Sequence, residues 1–371
     1  MDTPESDTPG AETMPKANDI SRRQMLRRAA LGTSALSIPA VLSALGNTSG
    51  IADAEKVMRT AKANPYPGHP RWRFTFVNHV TTNPFFVPTQ YGAQDAGRLF
   101  NTQFQWTGSA NSIVSEMVNA MNAAISARVD GIAVAIIDPH AFNQPVARAL
   151  AAGIPVVSYN ADAPPSSKNA RLAYIGQGLF NSGVKMGQRI VQLVGRGEVV
   201  LFIATPGSLN IQPRIDGAAS AIRAAGGKVH FQEIATGALV PDELARITAY
   251  YIGHRSIKGM FAVDGGSTQS IGQVSAKYGL IGKMKTGGYD LTPISIAGVN
   301  SGHLNFTIDQ QPYLQGFVPV MQLALYHLSG GLISPSETDT GLKFVTRQNV
   351  GKYLRTTSRY EGSTPAEKWI R

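Results

Sequence analysis

The alternation of short apolar runs with longer amphipathic segments is the feature that most constrains how this chain folds. Short β-type runs and helical patterns alternate from about residue 72, and the same rhythm resumes in a second half. Strands spaced by such helices are typical of βαβ units and a parallel sheet. Residues 131–137 are apolar at nearly every position, as expected for a parallel strand that is buried on both faces.

The predicted elements fall into two groups with the same order. In the first half the pattern predicts strands at 72–77, 102–106, 131–137, 155–159 and 172–175, and helices at 84–100, 113–127 and 142–152. In the second half it predicts helices at 179–194, 212–225, 242–251, 267–278 and 313–328, and strands at 198–204, 228–233, 259–263, 285–289, 305–308 and 340–345. The fold class predicted from this order is α/β, with two Rossmann-like lobes around a cleft.

The stretch from Phe74 to Phe86 carries the first candidate site residues. A β-type run ends there in polar residues, and Pro84 suits the first turn of a helix because its missing N–H would have no partner. Ligands of open α/β sheets bind beyond the carboxyl ends of the strands. Two adjacent rings beside amides suit a polyhydroxylated ligand. The alternative is that both rings belong to the core and the polar residues only cap the helix.

The first 54 residues have the pattern of an export signal. Paired arginines at Arg22 and Arg23 precede a mildly apolar, small-residue segment at 29–45, which is typical of a twin-arginine signal. The alternative is a basic amphipathic helix at a membrane surface. We therefore expect residues 1–54 to be removed and the mature protein to be periplasmic or extracytoplasmic.

Composition and missing motifs exclude several function classes. The chain has no cysteine, so disulfides, thiolate metal sites and iron–sulfur clusters are excluded. The formal net charge is +10, but the Lys and Arg residues are scattered without a run, which does not favour a nucleic-acid partner. The sequence contains neither a glycine-rich dinucleotide loop nor a P-loop lysine, and we expect no cofactor.

Several ordered motifs resemble the type I periplasmic sugar-binding proteins, the ribose-binding and galactose-binding group that serves ATP-binding-cassette transporters. The resemblance covers about residues 71–350. The matching segments are Asn83-Pro84-Phe85-Phe86, Gly153-Ile154-Pro155-Val156-Val157, Gln212-Pro213-Arg214, Phe261-Ala262-Val263-Asp264, Gly288-Tyr289-Asp290 and Thr307-Ile308-Asp309-Gln310. Each segment alone is a weak signal, but the series in this order is specific.

The resemblance implies a set of sugar-binding residues drawn from both halves of the chain. They are His79, Asn83, Phe85, Phe86, Asp138, Asn160, Arg214, Asp264, Asp290 and Gln310. Aromatic rings would cover an apolar sugar face, the arginine would donate to neighbouring hydroxyls, and the carboxylates would accept hydroxyl protons. Asp138 also fits a helix cap, and His79 also fits a buried histidine at a strand end.

Two of these residues carry the strongest expectations. Arg214 and Asp290 are expected to face each other across the cleft, and Arg214→Ala is expected to abolish ligand binding with the fold nearly unchanged. Asp264 and Asp290 are interpreted as hydroxyl acceptors and not as a glycosidase acid–base pair, because nothing in the sequence indicates that one of them is kept protonated.

Departures from the family pattern leave the ligand open. Asn160 is followed by Ala161, where ribose and galactose receptors have an arginine, and Asp264 replaces the more usual asparagine. The pattern leaves room for a linear polyol, a cyclitol or an unusual pentose, and Asp162 is a candidate for the missing carboxylate.

The family fold also implies where the chain crosses between its lobes. Crossings are expected near Gly176 and Gln177, near Ile308 and Asp309, and at 338–341. The N-terminal lobe then comprises 71–176 and 309–338, and the C-terminal lobe 177–308 and 339–355. A three-segment hinge of this kind lets the lobes close over a ligand.

The interpretation is therefore an exported, monomeric binding protein that captures a sugar or polyol in the cleft and delivers it to an ATP-binding-cassette permease. It has no catalytic role in this interpretation. A chemosensory receptor is an alternative that the sequence does not separate from transport, and a carbohydrate-active enzyme is a weaker one.

Overall fold

Twelve strands form two separate sheets in the computed structural model, which describes residues 66–332 and 335–355. The segment expected to be the export signal, 1–54, lies outside these residues. Among the described residues, no helix is both long enough and apolar enough to cross a membrane.

The first sheet has the strand order β11-β5-β4-β3-β1-β2, and all its pairs are parallel. Its strands are β1 (Trp72–Asn78), β2 (Thr102–Gly108), β3 (Gly131–Val134), β4 (Val156–Tyr159), β5 (Ala173–Gly176) and β11 (Glu337–Asp339). Strands β1 and β2 pair along their whole length, from Trp72 opposite Thr102 to Asn78 opposite Gly108.

The second sheet repeats this plan with the order β12-β10-β9-β8-β6-β7. Its strands are β6 (Gly197–Ile203), β7 (Val229–Ala235), β8 (Gly259–Ala262), β9 (Lys285–Tyr289), β10 (Phe306–Asp309) and β12 (Lys343–Val345). Edge strand β12 runs antiparallel to β10, and the other pairs are parallel.

The described residues contain ten α-helices, of which the last follows the final strand. They are α1 (Val87–Leu99), α2 (Val114–Ser126), α3 (Asn143–Ala151), α4 (Leu179–Val194), α5 (Gln212–Ala224), α6 (Val240–Gly253), α7 (Gly265–Tyr278), α8 (Pro293–Ser301), α9 (Leu314–Leu328) and α10 (Gly351–Arg355).

The two faces of the second sheet bury separate cores. Along β6, Val199 and Leu201 join a cluster with residues of α4 and α5, whereas Val200 and Phe202 join a cluster with residues of α6 and α7. Successive side chains of a strand point to opposite faces, so a strand covered on both sides is apolar throughout. The first sheet contributes to a single large cluster that includes residues of α1, α2, α3 and α9.

The chain passes from one sheet to the other three times. The passages follow Gly176 at the end of β5, Asp309 at the end of β10 and Asp339 at the end of β11. The expected fold class, two lobes with parallel sheets joined by three segments, is therefore confirmed. The exact domain boundaries stay a prediction.

Local differences from the sequence prediction lie where apolar character alone does not define a strand. Strand β3 ends at Val134, although the apolar run continues to Ile137 and the N–H groups of Ala135 and Ile136 still donate to the carbonyls of Val77 and Ala161. The strand expected at 340–345 comprises only Lys343–Val345. Helix α8 and strand β11 were not predicted, and the helix expected from Pro84 begins as a 3-10 turn over Pro84–Phe86.

Helices α4 and α5 pack so closely that glycine is required at their contact. A Cβ added at Gly183 would lie 2.2 Å from the carbonyl oxygen of Arg214, and one added at Gly217 would lie 2.1 Å from that of Phe180. Real Cβ atoms do not approach backbone atoms so closely. This contact fixes the first turn of α5, the turn that carries Arg214.

We expect Gly183→Ala to destabilise the protein by about 1–3 kcal/mol, because extra volume in a packed contact forces the backbone apart. It should also weaken ligand binding, since α5 must move. Chemical denaturation checks the first effect. Gly253→Ala is the matched control, because no atom lies within 4 Å of a Cβ there. An equally stable Gly183→Ala variant would contradict the packing account.

Candidate functional site

A small cavity lies between the carboxyl ends of the two sheets. Its volume is about 50 Å³. Its walls include every residue of the predicted site except Asp138, and they add Val80, Asn210, Ile211 and Gly265. The structure therefore brings residues from both lobes to one place, while their contacts with a ligand stay a prediction.

One wall of the cavity is aromatic. Phe85 and Phe86 lie in the 3-10 turn after β1, which Asn83 caps by accepting a hydrogen bond from the N–H of Phe85 at 3.0 Å. The two rings meet edge to face at 4.7 Å, and Phe86 also packs against Trp106 and Tyr159. Both rings are thus largely buried and still border the cavity, so they belong to the core, and their contact with a ligand stays a prediction.

His79 connects this wall to the other lobe. The side-chain nitrogen of Asn210 lies 3.0 Å from Nε2 of His79, while the Asn210 oxygen accepts a hydrogen bond from the Ser208 hydroxyl. This pairing makes Asn210 the donor, so the proton of the neutral ring lies on Nδ1, which has no protein partner. Burial lowers the pKa of His79 to about 3 and keeps the ring neutral.

Three polar side chains form a chain that runs from the second lobe to the crossing after β10. Arg214 donates through Nη2 to Oε1 of Gln310 at 2.8 Å, and Gln310 donates to Oδ1 of Asp290 at 2.6 Å. Arg214 also donates to the carbonyl of Val263 and to the side chain of Gln177. A guanidinium has five N–H donors, so Nε and one hydrogen of Nη1 are left without protein acceptors in these bonds.

This arrangement corrects two expectations about Arg214. Arg214 and Asp290 do not face each other across the cleft, because both belong to the second lobe and Gln310 links them. Arg214 is 2% exposed, and its guanidinium donates hydrogen bonds to the buried acceptors just named. Removal of the side chain would leave those acceptors unpaired, so a nearly unchanged fold is not expected for Arg214→Ala.

Asp290 has an unfavourable backbone conformation and a buried carboxyl group. It has a left-handed backbone with φ of 79°, which is uncommon for a residue other than glycine. Burial raises the pKa of its carboxyl to about 7, against the opposing effects of Arg214 and Gln310. Nothing in the sequence indicated this raised pKa. Strain and a raised pKa in one residue are typical of functional sites.

Asp264 combines capping with a place in the cavity wall. It is the N-cap of α7, with Oδ1 accepting from the N–H of Ser267 at 2.8 Å and Oδ2 accepting from the N–H of Ala204 at 3.0 Å. It borders the cavity beside Gly265. Because these two backbone bonds use lone pairs of the carboxylate, Asp264 has fewer lone pairs available for a ligand than a free carboxylate would have.

Asp138 and Asp162 serve local structure. Asp138 does not line the cavity, because its Oδ1 accepts the backbone N–H groups of His140 and Ala141, both at 2.8 Å, at the start of a turn. Asp162 forms an ion pair with Arg171 and accepts from the Ser158 hydroxyl, so it does not supply the missing carboxylate of the cavity.

Gln177 and Gln315 also bond to site residues, and the sequence analysis did not include them in the site. Asn160, with a left-handed backbone, donates to Gln315 at 2.9 Å, and Gln315 in turn donates to Gln310. Gln177 accepts from Arg214 and donates to the carbonyl of Gly341 at 3.0 Å. Residues that line the cavity are therefore bonded directly to residues next to the segments where the chain crosses between the sheets.

Asn210 was also missed, although it lies two residues before the recognised segment Gln212-Pro213-Arg214. We expect Asn210→Ala to weaken ligand binding by about 3–10-fold, the value of one hydrogen bond, because the bond to His79 forms only when the lobes are together. Calorimetric titration measures the change. Asn122→Ala on α2 is the control, and unaltered affinity in Asn210→Ala would show that the bond does not contribute to closure.

Comparisons with known proteins agree with this geometry. The family model described as periplasmic binding protein domain matches residues 74–331. The xylose/arabinose-binding protein XylF of Sulfolobus acidocaldarius is 49% identical, over 95% of this chain and 93% of that protein.

Solved structures of solute-binding proteins share the fold. An ABC transporter solute-binding protein from Burkholderia graminis, in complex with D-arabinose, is 25% identical with a TM-score of 0.71, covering 77% of this chain and 99% of that one. A carbohydrate transporter from Acidothermus cellulolyticus, in complex with myo-inositol, is 26% identical with a TM-score of 0.70, covering 80% of this chain and all of that one. This chain therefore belongs to the periplasmic binding protein domain family, in its type I sugar-binding group.

Proposed function

We propose that this protein is an exported receptor that binds a pentose between its lobes and delivers it to an ATP-binding-cassette permease. The observation that carries the proposal is the cavity itself, with the Phe85–Phe86 wall on the first lobe and, facing it, Arg214 and Asp290 of the second lobe joined by Gln310 at the crossing after β10. Rings match the C–H faces of a sugar, and unpaired donors beside a carboxyl match its hydroxyl groups.

The size of the cavity favours a small solute. At about 50 Å³ it is far smaller than the roughly 300–1,000 Å³ of pockets that hold drug-sized ligands. At roughly 30 Å³ per water molecule this space holds fewer than two waters, so the lobes must part even for a monosaccharide, and an oligosaccharide would require a much wider opening. The name of the XylF relative, xylose/arabinose-binding protein, supports xylose and arabinose as the first ligands to test.

Binding without turnover is part of the proposal. The cavity has polar groups that can hold hydroxyls, but Arg214, Gln310 and Asp290 are engaged with one another and leave no positioned nucleophile. Incubation of the protein with D-xylose or L-arabinose should return each sugar unchanged. Any product detected by chromatography would favour the enzyme alternative.

A thermal-shift screen tests the ligand class. Full-length protein is heated with D-xylose, L-arabinose, D-ribose, D-glucose, xylitol and myo-inositol, each at several concentrations. A ligand that binds only the folded state stabilises it by about 2.7 kcal/mol at a hundredfold excess over its Kd. We expect the largest shifts with pentoses. A response to none of these compounds would contradict the proposed function.

Export through the twin-arginine route and a monomeric state complete the proposal. Replacement of Arg22 and Arg23 by lysines should leave the protein, still carrying residues 1–54, inside the cell, because paired arginines are the recognised feature of such signals. Fractionation and immunoblotting measure the distribution. Normal export of the doubly substituted protein would contradict this route.

A further inference from the structure

The connections that enter the four parallel strands of the second sheet's middle are basic. Strands β6, β7, β8 and β9 are entered through residues 195–196, 225–228, 254–258 and 279–284. None of these residues is acidic. The basic residues among them, all exposed and here called the basic end of the lobe, are Arg196, Lys228, Arg255, Lys258 and Lys283. Because the amino ends of parallel strands meet at one edge of a sheet, these cations lie at the same end of the lobe, opposite the cleft.

Backbone hydrogen bonds place these segments side by side. The N–H of Gly197 donates to the carbonyl of Lys228 at 2.9 Å. The N–H of Lys258 donates to the carbonyl of Glu198 at 2.7 Å. The N–H of Lys285, the first residue of β9, donates in turn to the carbonyl of Lys258 at 2.9 Å. Neighbouring strands are about 4.8 Å apart, so the row of cations across the four strands is about 15 Å long.

The cations of the basic end have no anionic partner among the described residues. Both ion pairs of these residues are formed by Arg171 of the first lobe. Glu198 is exposed beside the row and offsets one charge without pairing with it. Cations also stabilise the C-terminal ends of helices, and Arg223 and Lys277 have that place in α5 and α7. Lys258 instead directly precedes a strand, so the helix ends do not explain the whole set.

Two isoleucines are exposed beside these cations. Ile252, in the last turn of α6, is 50% exposed, and Ile281, in the connection before β9, is 52% exposed. The rings of Tyr251 and Tyr278 lie 4.9 Å apart and join the ends of α6 and α7, which brings the two isoleucines to the same end of the lobe. Apolar side chains flanked by Lys and Arg are typical of surfaces that lie on anionic membranes.

We propose that the basic end of the second lobe binds the surface of an anionic lipid bilayer. The cations contact lipid phosphates, and Ile252 and Ile281 enter the boundary between headgroups and acyl chains. The isoleucines favour a bilayer over a soluble polyanion, because only a bilayer has an apolar layer beneath its charges. This inference goes beyond the proposed function and does not depend on which sugar the cleft binds.

Lipid contact at this end leaves the cleft accessible. Strand β6 has seven residues and separates the basic end from the cleft by about 23 Å, at about 3.3 Å per residue. The receptor would thus be held at the membrane that contains its permease, while its cavity still exchanges sugar with the solution. Such binding is reversible, since each Lys or Arg near an anionic surface changes the affinity by only about fivefold.

The test is flotation of full-length protein with vesicles of equal parts phosphatidylglycerol and phosphatidylcholine at low salt. Lys258→Gln combined with Lys283→Gln should lower the partition coefficient by about 25-fold, the product of two lost charges. Lys168→Gln combined with Lys185→Gln is the matched control, because both lysines are exposed and lie outside the basic end. The control should stay within about threefold of the wild type. Ile252→Ser combined with Ile281→Ser should weaken binding by about tenfold.

A label at one position separates this contact from binding through residues 1–54. The chain has no cysteine, so Ile281→Cys provides a single attachment site for an environment-sensitive fluorophore. Its emission should rise by about twofold or more with the anionic vesicles, because the label leaves water for the interface. Leu99→Cys, at a 58% exposed position of the first lobe, is the control, and its label should not respond.

Three results would overturn the inference. They are equal partitioning of the Lys258→Gln, Lys283→Gln protein and the wild type, flotation without a signal from the label at residue 281, and a signal from that label that is as large with dextran sulfate as with vesicles. The last result would identify a soluble polyanion as the partner. The lysine variants should melt like the wild type, since both side chains are exposed, and loss of vesicle binding in these folded variants would support the inference.

Discussion

Arg214→Lys should weaken binding of the preferred pentose by about 100-fold or more. Two donors of the guanidinium have no protein acceptor in the cavity wall, and a hydrogen bond to a charged group contributes about 1.5–3 kcal/mol. Lysine keeps the charge but lacks the planar fork, so it cannot serve Val263, Gln310 and a sugar at once. Calorimetric titration below the melting temperature of the variant measures the loss.

Arg223→Lys is the matched control, because Arg223 lies exposed in the last turn of the same helix. It should bind like the wild type. Arg214→Lys should also melt at a lower temperature, since buried acceptors lose their partners. A folded Arg214→Lys protein with wild-type affinity would show that Arg214 supports the cavity wall without touching the sugar.

Asp290→Asn should have opposite effects on binding and on stability. The sugar would lose a charge-assisted acceptor, and its affinity should fall by about 10–150-fold, which corresponds to 1.5–3 kcal/mol. Asparagine tolerates the left-handed backbone of this position, so the fold is kept. At neutral pH, however, the ligand-free variant should be more stable than the wild type.

The sign follows from the pKa of Asp290, which burial raises from 3.8 to about 7 in the folded protein. The stability that the protonated carboxyl provides is complete below its unfolded pKa, and it is lost as pH rises through about 7. Asparagine does not titrate. The advantage of Asp290→Asn should thus grow from near zero at pH 3.5 to at most about 4 kcal/mol at pH 7.

Chemical denaturation of both proteins across this pH range measures the difference, and Asp216→Asn, at an exposed position of α5, is the control. A constant difference between Asp290→Asn and the wild type would contradict the raised pKa. Unaltered sugar affinity would contradict the acceptor role. Higher stability together with weaker sugar binding in Asp290→Asn would show that the wild-type residue favours function over stability.

The sheets and most helices were predictable from sequence, because the spacing of apolar residues and the length of each apolar segment distinguish strands from helices. Alternating faces along β6 and the apolar stripe of α4 follow directly from side-chain spacing. The end of β3 was not predictable, since residues 135–137 are as apolar and as buried as the strand itself.

Site residues were predictable where they lie together in a recognisable sequence segment. They were not predictable where their role depends on a contact with a residue far away in the sequence. Asn83, Phe85 and Phe86 are adjacent in sequence and form one wall. The bond between His79 and Asn210 joins residues 131 positions apart. In sequence, Glu243 resembles an ordinary acidic residue of a first helical turn. In the structure it is buried against Gly266, where any larger residue would collide with its carboxyl group.

A crystal structure of the full-length protein grown with D-xylose or L-arabinose tests the central claim most directly. The account predicts one monosaccharide between the lobes, with its apolar face against Phe85 and Phe86 and its hydroxyls bonded to Arg214 and Asp290. A sugar bound elsewhere on the surface, or a cleft that closes around a ligand other than a sugar, would contradict it.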